Sequence, residues 1–115
     1  MTKEQLSKLL HDTGCPVNEG VSSIKNEKQF PRIDYWESLW SGVKGSGKDY
    51  STISTWQIDF YARVPRHPKL LWLRDKLNEM GLYPAIMHEF NIEDRIWHSA
   101  FTLEIDEDKT SREEA

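Results

Sequence analysis

The sequence has little of what secreted, membrane-spanning and redox-active proteins need. Its single cysteine, Cys15, has no second cysteine with which to form an internal disulfide or a C-x-x-C motif. No apolar run approaches the roughly 18 residues that a membrane-spanning helix requires. The first residues also lack the apolar segment of a signal peptide. We therefore expect a protein that folds in a reducing cytoplasm and has no membrane partner.

Positive charge is scarce as well. The 115 residues include 15 basic and 19 acidic ones, for a net charge of −4, and acidic residues gather toward the C-terminus: Glu104, Asp106, Glu107, Asp108, Glu113 and Glu114. A protein that binds duplex DNA or RNA needs a stripe of Lys and Arg to displace counterions from phosphates. No such stripe is visible, so nucleic-acid binding is disfavoured.

The length is that of one ordinary domain. A domain of this size buries roughly two-thirds of the surface of its unfolded chain, which is enough for stability without disulfides or a structural metal. After residue 105 the chain has no apolar residue until Ala115. The sequence therefore predicts a single domain over residues 1–105, followed by an acidic, disordered tail over residues 106–115.

The hydrophobic pattern predicts two helices and four strands. Apolar spacings of three and four predict one helix over residues 2–12, with Thr2 as its N-cap, and a second from Pro68, whose apolar stripe is Leu70, Leu73, Leu77 and Met80. Gly81 stands where the C-terminal cap of the second helix belongs. Alternation of apolar and polar residues predicts strands over residues 30–36, 55–64, 83–90 and 96–105. The last two strands form an antiparallel hairpin around a polar turn at residues 91–95. The order α-β-β-α-β-β predicts an α+β fold, in which the N-terminal helix and one crossing helix accompany an antiparallel or mixed sheet.

Two faces are expected for the strand over residues 55–64. Its apolar face is Trp56, Ile58, Phe60, Ala62 and Val64, and its polar face is Thr55, Gln57, Asp59 and Arg63. Residues 41–49, rich in glycine and lysine, are predicted to form a flexible, basic loop. The segment from Pro16 to Gln29 is predicted to be loop with at most one short strand.

The segment Gly42 to Lys48 matches the first seven positions of a P-loop, G-x-x-x-x-G-K. The eighth position is Asp49, where a P-loop needs a Ser or Thr to hold Mg²⁺, and a strand rather than a helix is predicted to follow. A mobile hairpin loop is therefore favoured over a phosphate site. Its lysines, Lys44 and Lys48, are candidate partner-binding residues.

His88 and His98 are weak candidates for a metal site. They lie on neighbouring predicted strands and could meet across the hairpin in a suitable register. Tight spacings such as H-E-x-x-H are absent, and a cross-strand pair of this kind is more often two surface histidines. Cys15 lies in a Gly/Pro turn without a nucleophile elbow. We predict no catalytic residue and no cofactor.

The five tryptophans fall into two groups. Trp56 and Trp97 are expected in the core, whereas Trp40 and Trp72 are the better candidates for contact with a partner. Trp72 lies off the leucine stripe of its helix, so on an ideal helix it points away from that face.

Several phrases occur in an order that resembles a known family. A strand introduced by Phe30-Pro31, the glycine loop, the phrase Thr55-Trp56-Gln57-Ile58-Asp59-Phe60, a crossing helix and an acidic turn precede Ile96-Trp97-His98-Ser99-Ala100-Phe101. Over residues 2–105 this layout resembles the tail terminator and minor tail proteins of long-tailed bacteriophages and prophages, which act in head–tail joining. A related family of head–tail connector or tail-completion proteins has much the same layout, and the sequence does not separate the two.

The resemblance implies a structural protein with no catalytic residue. Such a protein forms a homo-oligomeric ring, commonly a hexamer, which stops polymerisation of the tail tube and docks the head-completion (connector) protein. Its expected location is the host cytoplasm during assembly and then the virion tail. The compact link between the second helix and the final hairpin, and the acidic tail, depart from the family's layout and leave the docking face open.

Two other functions stay open. One is a small metal- or nucleotide-dependent enzyme built on His88, His98 or Lys48. The other is a monomeric adaptor that captures a partner through Trp40 and the 41–49 loop.

Overall fold

A computed structural model describes residues 1–20, 22, 25–44 and 50–106. In chain order the elements are α1 (Lys3–Asp12), β1 (Val17–Glu19), β2 (Arg32–Lys44), β3 (Tyr50–Ala62), α2 (Pro68–Glu79), β4 (Met87–Asn91) and β5 (Ile96–Ile105). The predicted α+β class is confirmed and the order roughly matches, with β1 as an additional strand. Among the described residues, no helix has the length and apolar character needed to cross a bilayer.

The strands form one mixed sheet in the order β1-β2-β3-β5-β4. β1 runs parallel to β2, and the other neighbours are antiparallel. The predicted hairpin of the last two strands is therefore confirmed. Its first strand begins at Met87 rather than at Tyr83, because Pro84 has no N–H with which to join a hydrogen-bonded ladder.

Both helices contribute to one hydrophobic core, on one face of the sheet. α1 supplies Leu6 and Leu10, and α2 supplies Leu70, Leu73 and Leu77. Alternate residues of β2, β3 and β5 complete the core: Ile33, Tyr35, Trp56, Ile58, Phe60, Ala62, Phe101, Leu103 and Ile105. The opposite face, which we call the open face, carries no helix of the described chain.

The helix ends follow the predicted caps. The Thr2 hydroxyl accepts a hydrogen bond from the Gln5 N–H, and the Gln5 side chain accepts one from the Thr2 N–H, which completes a capping box. Pro68 occupies the first turn of α2, and Gly81 follows the helix with a φ of +80°. Met80 was expected in the apolar stripe but is exposed, because it is the C-cap residue, where the chain leaves the helix.

The β2–β3 hairpin is longer than predicted. Ser41 to Lys44 pair with Ile53 to Tyr50, so the predicted loop over residues 41–49 is wrong for its first four residues. Gly42 pairs with Thr52 within this ladder, so strand pairing overrides the low strand propensity of glycine. Residues 45–49, which hold the rest of the loop, lie outside the described residues. A strand follows the glycine segment, so the helix that a P-loop requires is absent there.

The first residues of the chain meet the end of β5. The Met1 ammonium lies 3.1 Å from a carboxylate oxygen of Asp106, and the Asp106 N–H donates to the Met1 carbonyl. Asp106 was expected to belong to the disordered tail but is held in this contact. The remainder of the predicted tail, residues 107–115, lies outside the described residues.

Candidate functional site

The far end of the β2–β3 hairpin projects beyond the rest of the sheet. The last residue of β5, Ile105, pairs with Ser54, so the strands beyond this point have no third partner among the described residues. We call this projecting end (Ser41–Lys44 and Tyr50–Ile53), together with Leu39 and Trp40 at its base, the hairpin arm; Leu39 and Trp40 pair with Thr55 and Ser54, the first two residues of β3 that also pair with β5. The arm carries two large exposed side chains, Leu39 at 56% and Trp40 at 70% of full exposure.

A β-bulge sets the directions of these two side chains. Glu37 pairs with Trp56 and Leu39 with Thr55, so Ser38 is an extra residue in β2. Leu39 consequently lies on the open face, and Trp40, which pairs with Ser54, lies on the side of the helices. Neither helix covers Trp40, so the arm presents apolar surface on both sides.

A second exposed apolar region lies at the opposite edge of the sheet. All five residues of β4 are exposed, and no described strand pairs with its outer edge. We call Met87, Phe90 and Ile92 the edge patch; Met87 and Ile92 are 76% and 78% exposed. An uncovered edge strand without lysine or proline is a ready pairing site for another chain.

The hairpin arm and the edge patch lie far apart on the subunit. Trp40 pairs with Ser54 near one end of β3, whereas Phe90 pairs with Trp97, which pairs with Ala62 at the other end. Eight residues along a strand span roughly 27 Å. The two regions also lie on opposite edges of the sheet, so one subunit has two separate apolar surfaces.

The open face carries a buried polar cluster centred on two aspartates. Asp34 of β2 and Asp59 of β3 are directly opposite each other, at 5% and 0% exposure. Asp34 accepts hydrogen bonds from Asn18 (3.1 Å) and Ser22 (2.6 Å). Asp59 is hydrogen-bonded to Nε2 of His98 (2.5 Å) and accepts from the amide of Gln57 (3.2 Å). These donors compensate the burial of two carboxylates.

Aromatic stacking extends the cluster toward the edge of the sheet. The Tyr61 ring stacks on His98 with centroids 4.7 Å apart, and the Arg32 guanidinium lies 4.3 Å from the Tyr61 centroid. Burial raises the pKa of Tyr61, Asp59 and Asp34 raise it further, and Arg32 opposes them. Nε of Arg32 donates to Ser22, while its buried Nη1 has no hydrogen-bond partner in the described part of the chain.

A pocket of about 260 Å³ opens beside this stack. Tyr61, His98 and Ile96 line it from β3 and β5, and Arg32 lines it from β2. Residues of β4 and the following turn complete the lining: Glu89, Phe90, Asn91 and Asp94. The register places Tyr61, His98 and Glu89 on the open face, whereas Phe90 pairs with Trp97 and its ring packs on the Trp97 ring, on the helix side. The pocket therefore combines an aromatic–imidazole stack with carboxylates, and it lies beside β4 at the edge of the sheet.

The Asp59–His98 pair resembles the arrangement in which a buried carboxylate orients an imidazole for proton transfer. Among the described residues, no serine or cysteine is hydrogen-bonded to His98, and no group of three His, Cys, Asp or Glu could hold a metal ion. The contacts of the cluster instead attach the segment around Asn18 and Ser22 to β2.

The register does not bring the two weak candidates for a metal site, His88 and His98, together. The register pairs His88 with Ser99 and Glu89 with His98, so the two imidazoles lie on opposite faces of the hairpin. His88 is hydrogen-bonded to the Ser99 hydroxyl at 2.7 Å, and His98 to Asp59. A two-histidine metal site across this hairpin is therefore ruled out by the register.

The burial of the tryptophans agrees only in part with the prediction. Trp56 is buried as predicted and donates to Ser54, but Trp97 lies outside the buried cluster, beside Phe90. Trp72 packs against the core, because the buried stripe of α2 is wider than its leucines alone. The prediction that Trp72 points away from the core is therefore wrong.

The other three candidate partner-binding residues belong to the β2–β3 hairpin. Trp40 is exposed on the arm, and Lys44 is the last residue of β2. Lys48 lies outside the described residues.

Sequence reasoning missed the polar cluster and the pocket. Asp59 was assigned to the polar face of its strand, and that face was expected to meet solvent. A weak signal was present, since aspartate is depleted within strands and both Asp34 and Asp59 interrupt strongly strand-forming segments. The sequence could not identify the hydrogen-bond donors of these carboxylates, because those donors reach Asp34 and Asp59 only after β2, β3 and β5 have paired.

No protein-family model matches the chain, and a search of curated proteins finds no match.

Proposed function

We propose that this protein is a structural subunit of phage or prophage tail assembly, of the tail terminator or tail-completion type. It acts by forming a homo-oligomeric ring that docks between the tail tube and the head connector. The proposal rests on the resemblance of residues 2–105 to that family, together with the position of the exposed apolar surfaces.

One observation supports a ring more than any other. The hairpin arm and the edge patch are different surfaces at opposite ends and opposite edges of one subunit. Contact between two different surfaces of identical subunits is heterologous, and such contacts close into rings when the rotation between subunits permits. A twofold dimer would instead pair a surface with itself.

The chemistry of these surfaces is that of a protein interface. The arm offers Trp40 and Leu39, and the edge patch offers Met87 and Ile92 next to uncovered strand backbone. Tryptophan and methionine are enriched where proteins bind one another, and an edge strand can also contribute main-chain hydrogen bonds. The subunit therefore has an apolar donor surface and an apolar acceptor surface.

The test is the mass of the protein by light scattering over a wide concentration range, combined with negative-stain electron microscopy. We expect annular particles of one defined size. The double variant L39S/W40S should remain a folded monomer, whereas V64S, which alters an exposed valine outside both surfaces, should assemble like the wild type. A wild-type protein that stays monomeric at every concentration would contradict the ring and favour an adaptor.

A second measurement addresses the assembly role itself. Purified rings should bind one end of tail tubes from the phage or prophage that encodes the chain, and should stop their further growth. Rings that neither bind nor cap those tubes would contradict the proposed role in tail assembly while leaving the ring intact.

A further inference from the structure

The sheet of one subunit has a free edge on each side. β1 pairs with β2 only at Ile33, Asp34 and Tyr35, so the outer side of β2 over residues 37–44 has no partner among the described residues. The outer side of β4, residues 87–91, is likewise unpaired in the described part of the chain. Both edges are ready pairing sites for another strand, because their outward N–H and C=O groups lack partners within the sheet.

The two edges suit each other in direction. β2 runs antiparallel to β3, β3 to β5 and β5 to β4, so β2 and β4 run in opposite directions within one subunit. A second copy placed beside the first in the same orientation therefore brings its β2 antiparallel to the β4 of the first. The helices of both copies then lie on the same side of one continuous sheet.

The outward main-chain groups of the two edges belong to residues on the same face. In an antiparallel ladder, successive residues direct their N–H and C=O alternately to the two sides. Ile33 directs its N–H to β1, where the Pro16 carbonyl accepts it at 2.9 Å. Followed through the register, this alternation directs the main-chain groups of His88 and Phe90 outward from β4, and those of Trp40 outward from β2 beyond the bulge. The same register places the side chains of these three residues on the helix side.

Exposed aromatic side chains lie at both edges on the helix side. The Phe90 ring packs on Trp97 with centroids 4.9 Å apart, yet Phe90 is still 41% exposed. Trp40 is 70% exposed. Placed opposite each other, Trp40 and Phe90 form a cross-strand aromatic pair, one of the pairs that stabilise antiparallel sheets. An aromatic row of Trp97, Phe90 and Trp40 then crosses the boundary between two copies.

We infer that β4 of one copy pairs antiparallel with the free part of β2 of the next copy, with Phe90 opposite Trp40. This inference rests on the proposed ring and specifies its interface. The occupant of each edge is a second copy, because one subunit carries both edges with matching direction and facing. Since the two edges differ, the contact is heterologous and repeats in one direction around the ring.

The surroundings of Trp40 favour this register over its neighbours. It places His88 opposite Gly42, where the space beside the backbone is open. A shift that set His88 opposite Trp40 would place Phe90 against Ser38, the extra residue of the bulge, where the regular ladder is interrupted. A shift the other way would set Phe90 against Gly42, which has no side chain for the ring to contact.

A proline substitution tests the main-chain pairing. Proline at an edge position whose N–H points outward removes one intermolecular donor and leaves the ladder between β4 and β5 intact. H88P makes this change. H88A is the matched control, because both variants lose the hydrogen bond between the His88 ring and Ser99, but only H88P loses the N–H. Circular dichroism and thermal unfolding establish that each variant is folded, and light scattering gives its mass.

We expect H88P to associate at least roughly tenfold more weakly than the wild type, because it lacks a main-chain hydrogen bond and its ring crowds the partner strand. H88A should form rings at the concentrations where the wild type does. Rings that form equally well in H88P, or that are lost as fully in H88A, would contradict pairing through the main chain of β4.

Engineered cysteines test the register independently. In the proposed pairing Ser41 and Glu89 lie directly opposite each other on the open face, with Cα atoms about 4.5 Å apart, a separation that a disulfide spans. An equimolar mixture of S41C and E89C should therefore give covalent 1:1 dimers under mild oxidation. L39C mixed with M87C is the matched control, because these residues share the same strands and face but lie roughly 13 Å out of register. The native Cys15 is buried and stays in place.

The outcomes separate this inference from the proposed ring. Rings without a cross-link between S41C and E89C would overturn the strand pairing and leave the ring standing. Disulfide dimers of E89C alone would show that β4 pairs with a second β4 about a twofold axis, which contradicts the heterologous contact. A wild-type protein that stays monomeric overturns both proposals.

Discussion

Asp34 and Asp59 face each other across β2 and β3, and both carboxylates are almost wholly buried. Like charges in direct cross-strand positions destabilise a sheet unless each has its own donors. Asp34 takes its hydrogen bonds from Asn18 and Ser22, and Asp59 is bonded to His98 and Gln57. The pair thus depends on contacts from β1 and the segment after it for Asp34, and from β3 itself and β5 for Asp59.

We predict that D59A is strongly destabilising. It leaves the half-buried His98 and Gln57 without their acceptor, and losing hydrogen bonds to a charged group costs roughly 2 kcal/mol. D59N keeps the shape and one acceptor oxygen and should cost less, about 1 kcal/mol. Urea unfolding of each variant gives the free energy of unfolding. D75A, at an exposed ion pair, is the control; a D59A protein as stable as D75A would show that Asp59 contributes nothing.

Truncating a leucine of the core should lower the stability of the subunit far more than truncating a leucine of the hairpin arm. Leu73 of α2 is 1% exposed, and truncation to alanine should lower the free energy of unfolding by roughly 3 kcal/mol through lost burial and the cavity left behind. L39A changes an exposed side chain and should change subunit stability by less than about 0.5 kcal/mol. Both unfolding free energies should be measured at protein concentrations too low for assembly. Equal losses of unfolding free energy for L73A and L39A would contradict the described core.

Acid should destabilise the protein in part through His67. Its Nδ1 accepts a hydrogen bond from the Lys69 N–H and caps α2. Burial lowers the pKa of His67, and the Lys69 ammonium lowers it further. The unfolded chain therefore takes up the proton first, so this contribution to stability is lost as the pH falls below the unfolded pKa.

The variant H67N isolates that contribution, because asparagine keeps the capping acceptor and does not titrate. Between about pH 7.5 and about pH 5, the wild type should lose more unfolding free energy than H67N. Thermal or urea unfolding at both pH values measures the difference. Identical pH profiles would mean that His67 is protonated equally in the folded and unfolded chains.

Raising the pH should destabilise the protein in part through Tyr61. Burial, followed by Asp59 and Asp34, raises the pKa of Tyr61, and Arg32 only partly offsets them. Above the unfolded pKa the unfolded chain releases the phenol proton while the folded chain keeps it, so stability falls as the pH rises. Unfolding at about pH 8 and about pH 10.5 should show a smaller loss for Y61F than for the wild type. Lys3, whose pKa is raised by its pairing with Glu19, affects both proteins equally and cancels in the comparison. If Y61F lost as much unfolding free energy as the wild type, the prediction would be wrong.

Sequence alone determined the local elements of this protein. The spacing of Leu6 and Leu10, the stripe at Leu70, Leu73 and Leu77, and the alternation from Trp56 to Ala62 follow from periodicities of 3.6 and 2 residues. The caps at Thr2 and Gly81 follow from backbone chemistry within one turn. These features depend on neighbours in the chain, which the sequence contains.

Only the tertiary structure decided how the strands pair, and the pairing decided the site. It extended β2 past Gly42 to Lys44 to form the hairpin arm with β3, and it separated His88 from His98 by one step of register. It also placed Asp34 opposite Asp59 and set Tyr61 on His98 to form the pocket. Such contacts join residues tens of positions apart. Their energies depend on register and burial, which no local pattern of residues specifies.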